Sequence, residues 1–136
     1  MATYILPLLT VVLPLLGAAI AWVVNEWRKR AWEDYQSKEA NYRELLVAMR
    51  GFYASAKSPE LKAKFLEQIN LCWLYGPDEV IRKANDFLAK VEQGAEDREL
   101  AAGKFVLSVR RDLVSQGFRR TTDLKAEEFQ HYAVPK

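Results

Sequence analysis

The stretch Tyr4–Val24, YILPLLTVVLPLLGAAIAWVV, decides how the rest of the chain is read. It holds about 21 residues, and at 1.5 Å per residue a helix of that length covers the roughly 30 Å hydrocarbon core of a bilayer. No Asp, Glu, Lys or Arg falls between Met1 and Val24, so nothing in the stretch opposes transfer into lipid, and it reads as a transmembrane helix. A buried core helix or a cleaved signal peptide is apolar too, and Ala19-Ile20-Ala21 has the small residues of a cleavage site. A secretory signal, however, opens with basic residues and has a shorter apolar centre. Met1 to Tyr4 carry no Lys or Arg.

The flanks give the orientation. Arg28, Lys29 and Arg30 follow the apolar run directly, and a basic cluster at one end of a span holds that end in the cytoplasm. Trp22, Trp27 and Trp32 gather at the same boundary, where amphipathic indole rings suit the headgroup layer. Trp32 fits a soluble core equally well.

Within the span, Thr3, Pro7, Thr10, Pro14, Gly17 and Ala21 recur at three- and four-residue spacing, which sets them on one small or weakly polar stripe. Lipid requires no such stripe. Small residues let helices approach closely, and carbonyls freed by proline are best tolerated where a neighbouring helix, water or a hydroxyl meets them. Three readings stay open: the lining of a homo-oligomeric pore, helix packing without a pore, or a proline kink in a lone anchor.

Beyond the span the composition changes. The chain is 50% hydrophobic and 28% charged, yet the two kinds of residue are segregated, so the averages conceal two solvents. Roughly 110 residues remain for a core, enough for one modest helical domain. Tyr35, Tyr42 and Met49 are spaced by seven, with Leu45, Leu46 and Phe52 on the same face, which predicts a helix reaching Met49 or Gly51. The second helix is expected to start at Ser58, with Pro59 at its first position, and to bury Leu61, Phe65, Ile69, Cys72 and Trp73. Pro77, Asp78 and Glu79 open a third, with Val80, Ile81, Ala84, Phe87, Leu88 and Val91 inward and Gly94 closing it. A fourth is predicted from Asp97 to Gln116, with Ala102, Val106, Val109 and Leu113 on one face and Gly117 as its cap. A short helix over Lys125 to Tyr132 should carry Leu124 and Phe129 inward.

Little of this carries reaction chemistry. His131 is the only histidine and Cys72 the only cysteine, which argues against a zinc centre, a catalytic triad or an intramolecular disulfide framework. Cys72 reads as a small hydrophobe on a core face. A Gly-rich phosphate loop and a Walker-type lysine are both missing from the sequence. The Arg and His at four- to six-residue separation seen in many helical ribonucleases are missing too, for Leu124, Lys125 and Ala126 occupy the places before His131. A net charge of +2 is too small to argue for general nucleic-acid binding, so any basic surface is local. Two polar groupings stand out. Asp78, Arg82 and Asn85 lie on successive turns of the third helix, and Arg110, Arg111 and Asp112 interrupt an apolar stretch of the fourth; a bridge from Arg82 or Arg111 to Asp112 is the structural expectation. The functional alternative is an anion or partner site on Arg82, Arg110, Arg111, Arg119 and Arg120, repeated around a ring of protomers.

The segments FLEQINLCWLYGPDEVIRKANDFL and FVLSVRRDL, with Leu124 and Phe129 behind them, resemble a recurring bacterial helical module carried on an N-terminal membrane helix. In organisation the chain also resembles small single-span accessory proteins of bacterial antiviral systems, including the membrane-pore partner of RNA-targeting CRISPR effectors. The resemblance implies a non-enzymatic homo-oligomeric effector of the bacterial inner membrane, acting during phage infection and needing no cofactor. Its partners would be the lipid bilayer, further copies of itself, and a cytoplasmic defence protein, a nucleotide signal or RNA. The alternative is a tethered adaptor that recruits a cytoplasmic protein or nucleic acid. The expected fold is all-α: a transmembrane helix over residues 1–27, a juxtamembrane amphipathic helix over 28–56 that continues into the bundle, and a cytoplasmic helical domain over 57–136, about four antiparallel helices in all beyond the span.

Overall fold

A computed structural model describes residues 2–53, 58–116 and 122–130, with residues 2–6 described in their backbone. The described residues form four α-helices and two single 3₁₀ turns. These are α1 (Ala2–Met49) with a turn at Arg50–Phe52, α2 (Pro59–Tyr75), α3 (Asp78–Glu92), α4 (Arg98–Gln116) and a turn at Ala126–Glu128. The chain divides into two compact units, Met1–Asp34 and Tyr35–Lys136. The division falls inside the stretch 28–56 because Tyr42, Leu45, Ala48 and Met49 are core residues of the second unit.

In the first unit α1 carries Pro7 and Pro14 inside its helical run. From Pro7 to Asp34 every side chain is exposed except that of Glu26, which is half-buried. Among the described residues one helix is long and apolar enough to cross a membrane, and the side chains of its apolar window are exposed.

The second unit starts and stops its helices by local chemistry. Ser58 caps α2: its Oγ accepts from the Leu61 N–H at 3.3 Å and donates to Glu60 at 2.7 Å, satisfying a donor that the first turn leaves orphaned. Pro59 takes the first helical position, where its missing N–H costs nothing. Asp78 and Glu79 sit at the positive end of the α3 dipole. That helix ends before Gly94, whose φ of +63° a side chain would resist. Lys90 and Asp97 pair at 2.7 Å across the connection to α4. The expected cap at Gly117 lies outside the described residues.

Four phenylalanines form the centre of the core. Phe52, Phe65 and Phe87 meet edge to face at centroid separations of 5.2–5.9 Å, and Phe105 stands edge-on to Phe65 at 5.9 Å and stacked with Phe87 at 6.4 Å. Each such pair contributes about 0.5–1.5 kcal/mol beyond the area it buries. Val80, Ile81, Ala84, Ile69, Cys72, Ala102 and Val109 close around them, with Leu88, Val91, Val106 and Leu113 packed at the margin.

Three expectations are corrected. Trp73 is not core but 65% exposed: the buried arc of α2 runs through Phe65, Ile69 and Cys72, and Trp73 lies about 100° around the helix from Cys72. The tail makes a single 3₁₀ turn at Ala126–Glu128 where a short helix was expected. At three residues per turn Ala126 and Phe129 share the inward side, and Leu124, two residues ahead of the turn, is exposed. Residues 131–136, with His131 and Tyr132, lie outside the described residues.

Candidate functional site

The stripe on α1 acquires its chemistry from the two prolines. Pro7 and Pro14 have no N–H, so the carbonyls of Thr3 and Thr10, one turn earlier, lose their helical donors. Thr3-Pro7 and Thr10-Pro14 are thus the same device placed twice, seven residues apart and on one face. The Thr10 hydroxyl donates to the Pro7 carbonyl at 2.8 Å, so its proton is used within the helix while its oxygen still faces outward. Gly17 and Ala21 continue the face toward the basic end, and a Cβ placed on Gly17 would meet nothing. Within one copy Gly17 therefore does not make room for a neighbour. The side chain of Thr3 lies outside what is described.

At the far end of the apolar run Trp22, Trp27, Arg28, Lys29 and Arg30 are all exposed. Arg30 reaches back one turn to Glu26 at 3.4 Å, a pairing the sequence reading did not draw. Arg28 and Lys29 leave a local positive charge next to two exposed indoles.

The arginines of the second unit point to separate partners. Arg82 pairs with Asp78 at 3.5 Å, Arg111 with Glu79 at 3.6 Å, and the Arg110 Nε donates to Thr122 Oγ1 at 2.9 Å. Arg111 thereby ties α4 to the first turn of α3. Arg119 and Arg120 lie outside the described residues. The expected bridge from Arg82 or Arg111 to Asp112 does not form. Asp112 turns to α1 instead, accepting from the Tyr42 hydroxyl at 2.7 Å and the Lys38 ammonium at 3.2 Å. The α3-facing edge of α4 is occupied by Arg111, and Asp112, about 100° further around, meets the C-terminal half of α1.

Among the described residues of the second unit, Lys38 and Asp112 form the most enclosed ion pair, with Tyr42 beside them. Tyr42 is 1% exposed, and the Lys38 and Asp112 side chains are 20% and 10% exposed. Burial, then the hydrogen bond to the Asp112 carboxylate, pushes the Tyr42 phenol well above its ordinary range. Beside it Tyr75 packs at 5.9 Å between ring centroids. The Tyr75 hydroxyl is buried and meets the Cys72 thiol, a weak partner, in place of an oxygen or nitrogen. Burial raises the Cys72 thiol above its usual range, so the group is held as a protonated, unreactive thiol. Sequence reasoning missed this cluster because Lys38 and Tyr42 lie about seventy positions from Asp112. The one readable signal is a lone aspartate beside an apolar face. Among the described residues no group of three or more His, Cys, Asp or Glu is placed to hold a metal ion.

The fold and these groups define an all-helical protein that joins one helix fit to cross a bilayer to a compact helical unit. Compared with protein-family models, curated proteins and solved structures, the chain matches none.

Proposed function

We propose that the protein is a membrane-anchored, homo-oligomeric effector whose span associates with copies of itself along the stripe Thr3–Ala21 and forms or gates a path through the bilayer. One observation carries this reading: an apolar helix whose described side chains are exposed bears two proline-freed carbonyls on the same narrow face. An unsatisfied carbonyl facing hydrocarbon costs several kcal/mol. A symmetric bundle that turns the stripe inward, toward water or toward neighbouring helices, removes that cost for every copy at once. The exposed Arg28 and Lys29 hold the C-terminal side in the cytoplasm, with Trp22 and Trp27 at the headgroups. The setting of phage infection rests on the resemblance in organisation alone.

A second reading, a tethered adaptor, is favoured by the apolar side chains that α2 leaves exposed, Trp73 and Leu74 above all. Dye release from liposomes containing the full-length protein separates the two. The effector reading expects leakage that is lost when Thr10, Pro14 and Gly17 are all replaced by Leu. Leakage unchanged by that triple replacement, or no leakage from a protein shown to be inserted, removes the stripe as a conducting element.

A further inference from the structure

The outward face of α2 has the pattern of a helix–helix seam. Ala63, Leu66, Asn70 and Trp73 recur at spacings of three, four and three, which are the a and d positions of a heptad repeat. All four are exposed. They lie away from the Phe65, Ile69 and Cys72 arc that fills the core, so α2 is apolar on two sides and only one of them is covered. Leu74, at the flanking e position, is 83% exposed, the highest value among the described large apolar side chains of the second unit. From Ile69 to Tyr75 there is no charged residue. An aromatic, charge-free centre on a helix this exposed is the composition of an interface rather than of a solvated face.

We infer that this face is a contact between copies of the chain, with α2 of one copy lying parallel to α2 of the next. The inference rests on the self-association proposed above, which supplies copies inserted in one direction and held at high local concentration. The flanking charges select the occupant. In a parallel pair the g position of one helix faces the e position of its neighbour five residues later. Here these are Lys62 and Glu67; within one copy Lys62 is half-buried with its ammonium 5.7 Å from the centre of the Phe52 ring, and in the pair it turns outward to the other copy's exposed carboxylate on both sides of the seam. A bilayer surface would use Trp73 and Leu74 but has no use for Glu67, which anionic headgroups repel. Asn70 takes an a position, where a buried amide pairs with its counterpart and fixes the register at some cost in affinity. Pro59 and Pro77 bound the seam at either end. It is short, which suits a contact that forms only between anchored copies.

Oxidative cross-linking of the full-length protein in native membranes tests this. Asn70→Cys puts a thiol at the centre of the seam. A covalent dimer is expected from it and not from Lys104→Cys, an exposed position on α4, nor from the unaltered chain, whose Cys72 is buried. Lys62→Glu or Glu67→Lys in that background sets like charges opposite each other on both sides and should lower the dimer yield roughly five-fold. The double exchange should restore it, because complementarity returns with the sign reversed. No dimer from Asn70→Cys overturns the inference, as does a double exchange that stays as low as the single ones, the result expected if lipid or another protein covers the face. Gly17→Cys in parallel separates the two proposals. A dimer through Gly17 without one through Asn70 sinks the α2 contact and leaves the span reading standing, whereas a dimer through Asn70 alone does the reverse.

Discussion

Replacing Asp112 with Ala should destabilise the second unit by about 3 kcal/mol, most of it through Tyr42. The carboxylate accepts a 2.7 Å hydrogen bond from a hydroxyl whose side chain is 1% exposed, and a hydrogen bond to a charged partner contributes about 1.5–3 kcal/mol. Removal also strands the Tyr42 hydroxyl, at a desolvation cost of about 1–3 kcal/mol that overlaps the first figure. The Lys38 pair, at 3.2 Å and a fifth exposed on the lysine side, adds less than about 1 kcal/mol after solvent screening. For a domain of this size 1 kcal/mol shifts Tm by about 4–8 °C, so a loss on the order of 15 °C is expected by circular dichroism of the full-length protein in mild detergent. Tyr42→Phe, which leaves Asp112 with Lys38, should cost about 1 kcal/mol. The combined variant should be scarcely less stable than Asp112→Ala alone, since both changes remove one interaction. The reasoning is refuted if Asp112→Ala stays within the ~0.5 kcal/mol of an ordinary surface substitution, or if the two changes simply add.

Two further outcomes follow from the same interior. Burial raises the phenols of Tyr42, Tyr53 and Tyr75, the last pushed up to about 12. The folded state keeps those protons where the unfolded chain has lost them, so their contribution is complete below about pH 10 and fades as pH rises beyond it. Phenolate absorbance and helix loss should therefore rise together above pH 10, and Tyr75→Phe, which deletes a hydroxyl with only a thiol for company, should raise Tm at neutral pH by several degrees; a Tyr75→Phe variant that melts several degrees lower would show that the hydroxyl has a better partner than Cys72. Gly103→Ala should cost about 1–3 kcal/mol, because its methyl would collide with the Ala126 carbonyl and crowd the Phe129 Cβ. Limited proteolysis should then cut between Thr122 and Gln130 far faster than in the parent, and an unchanged digestion pattern would contradict that packing.

Much of this architecture is local, and the sequence by itself determined it. The apolar run, the absence of charge before Val24, Pro59 after Ser58 and Gly94 at the end of α3 act within a turn or two of where they stand, so pattern and propensity place the starts of α2, α3 and α4 to within a residue or so. They do not place two other stretches: α1 stops at Met49, short of a juxtamembrane helix reaching residue 56, and a single turn stands in place of a tail helix over Lys125 to Tyr132. The inward faces of α3 and of the Tyr42–Met49 segment follow from helical period, and Phe105, three residues from Ala102 and four from Val109, was legible by the same rule. Tertiary structure alone decided which of two apolar sides of α2 is buried, sending Cys72 inward and Trp73 out. It also decided that Asp112 serves Tyr42 and Lys38 rather than an arginine, and that the tail docks by a 3₁₀ turn against the bare backbone of Gly103. Periodicity states that a face exists; only the neighbouring helices, close-packed and about seventy positions away, state what covers it.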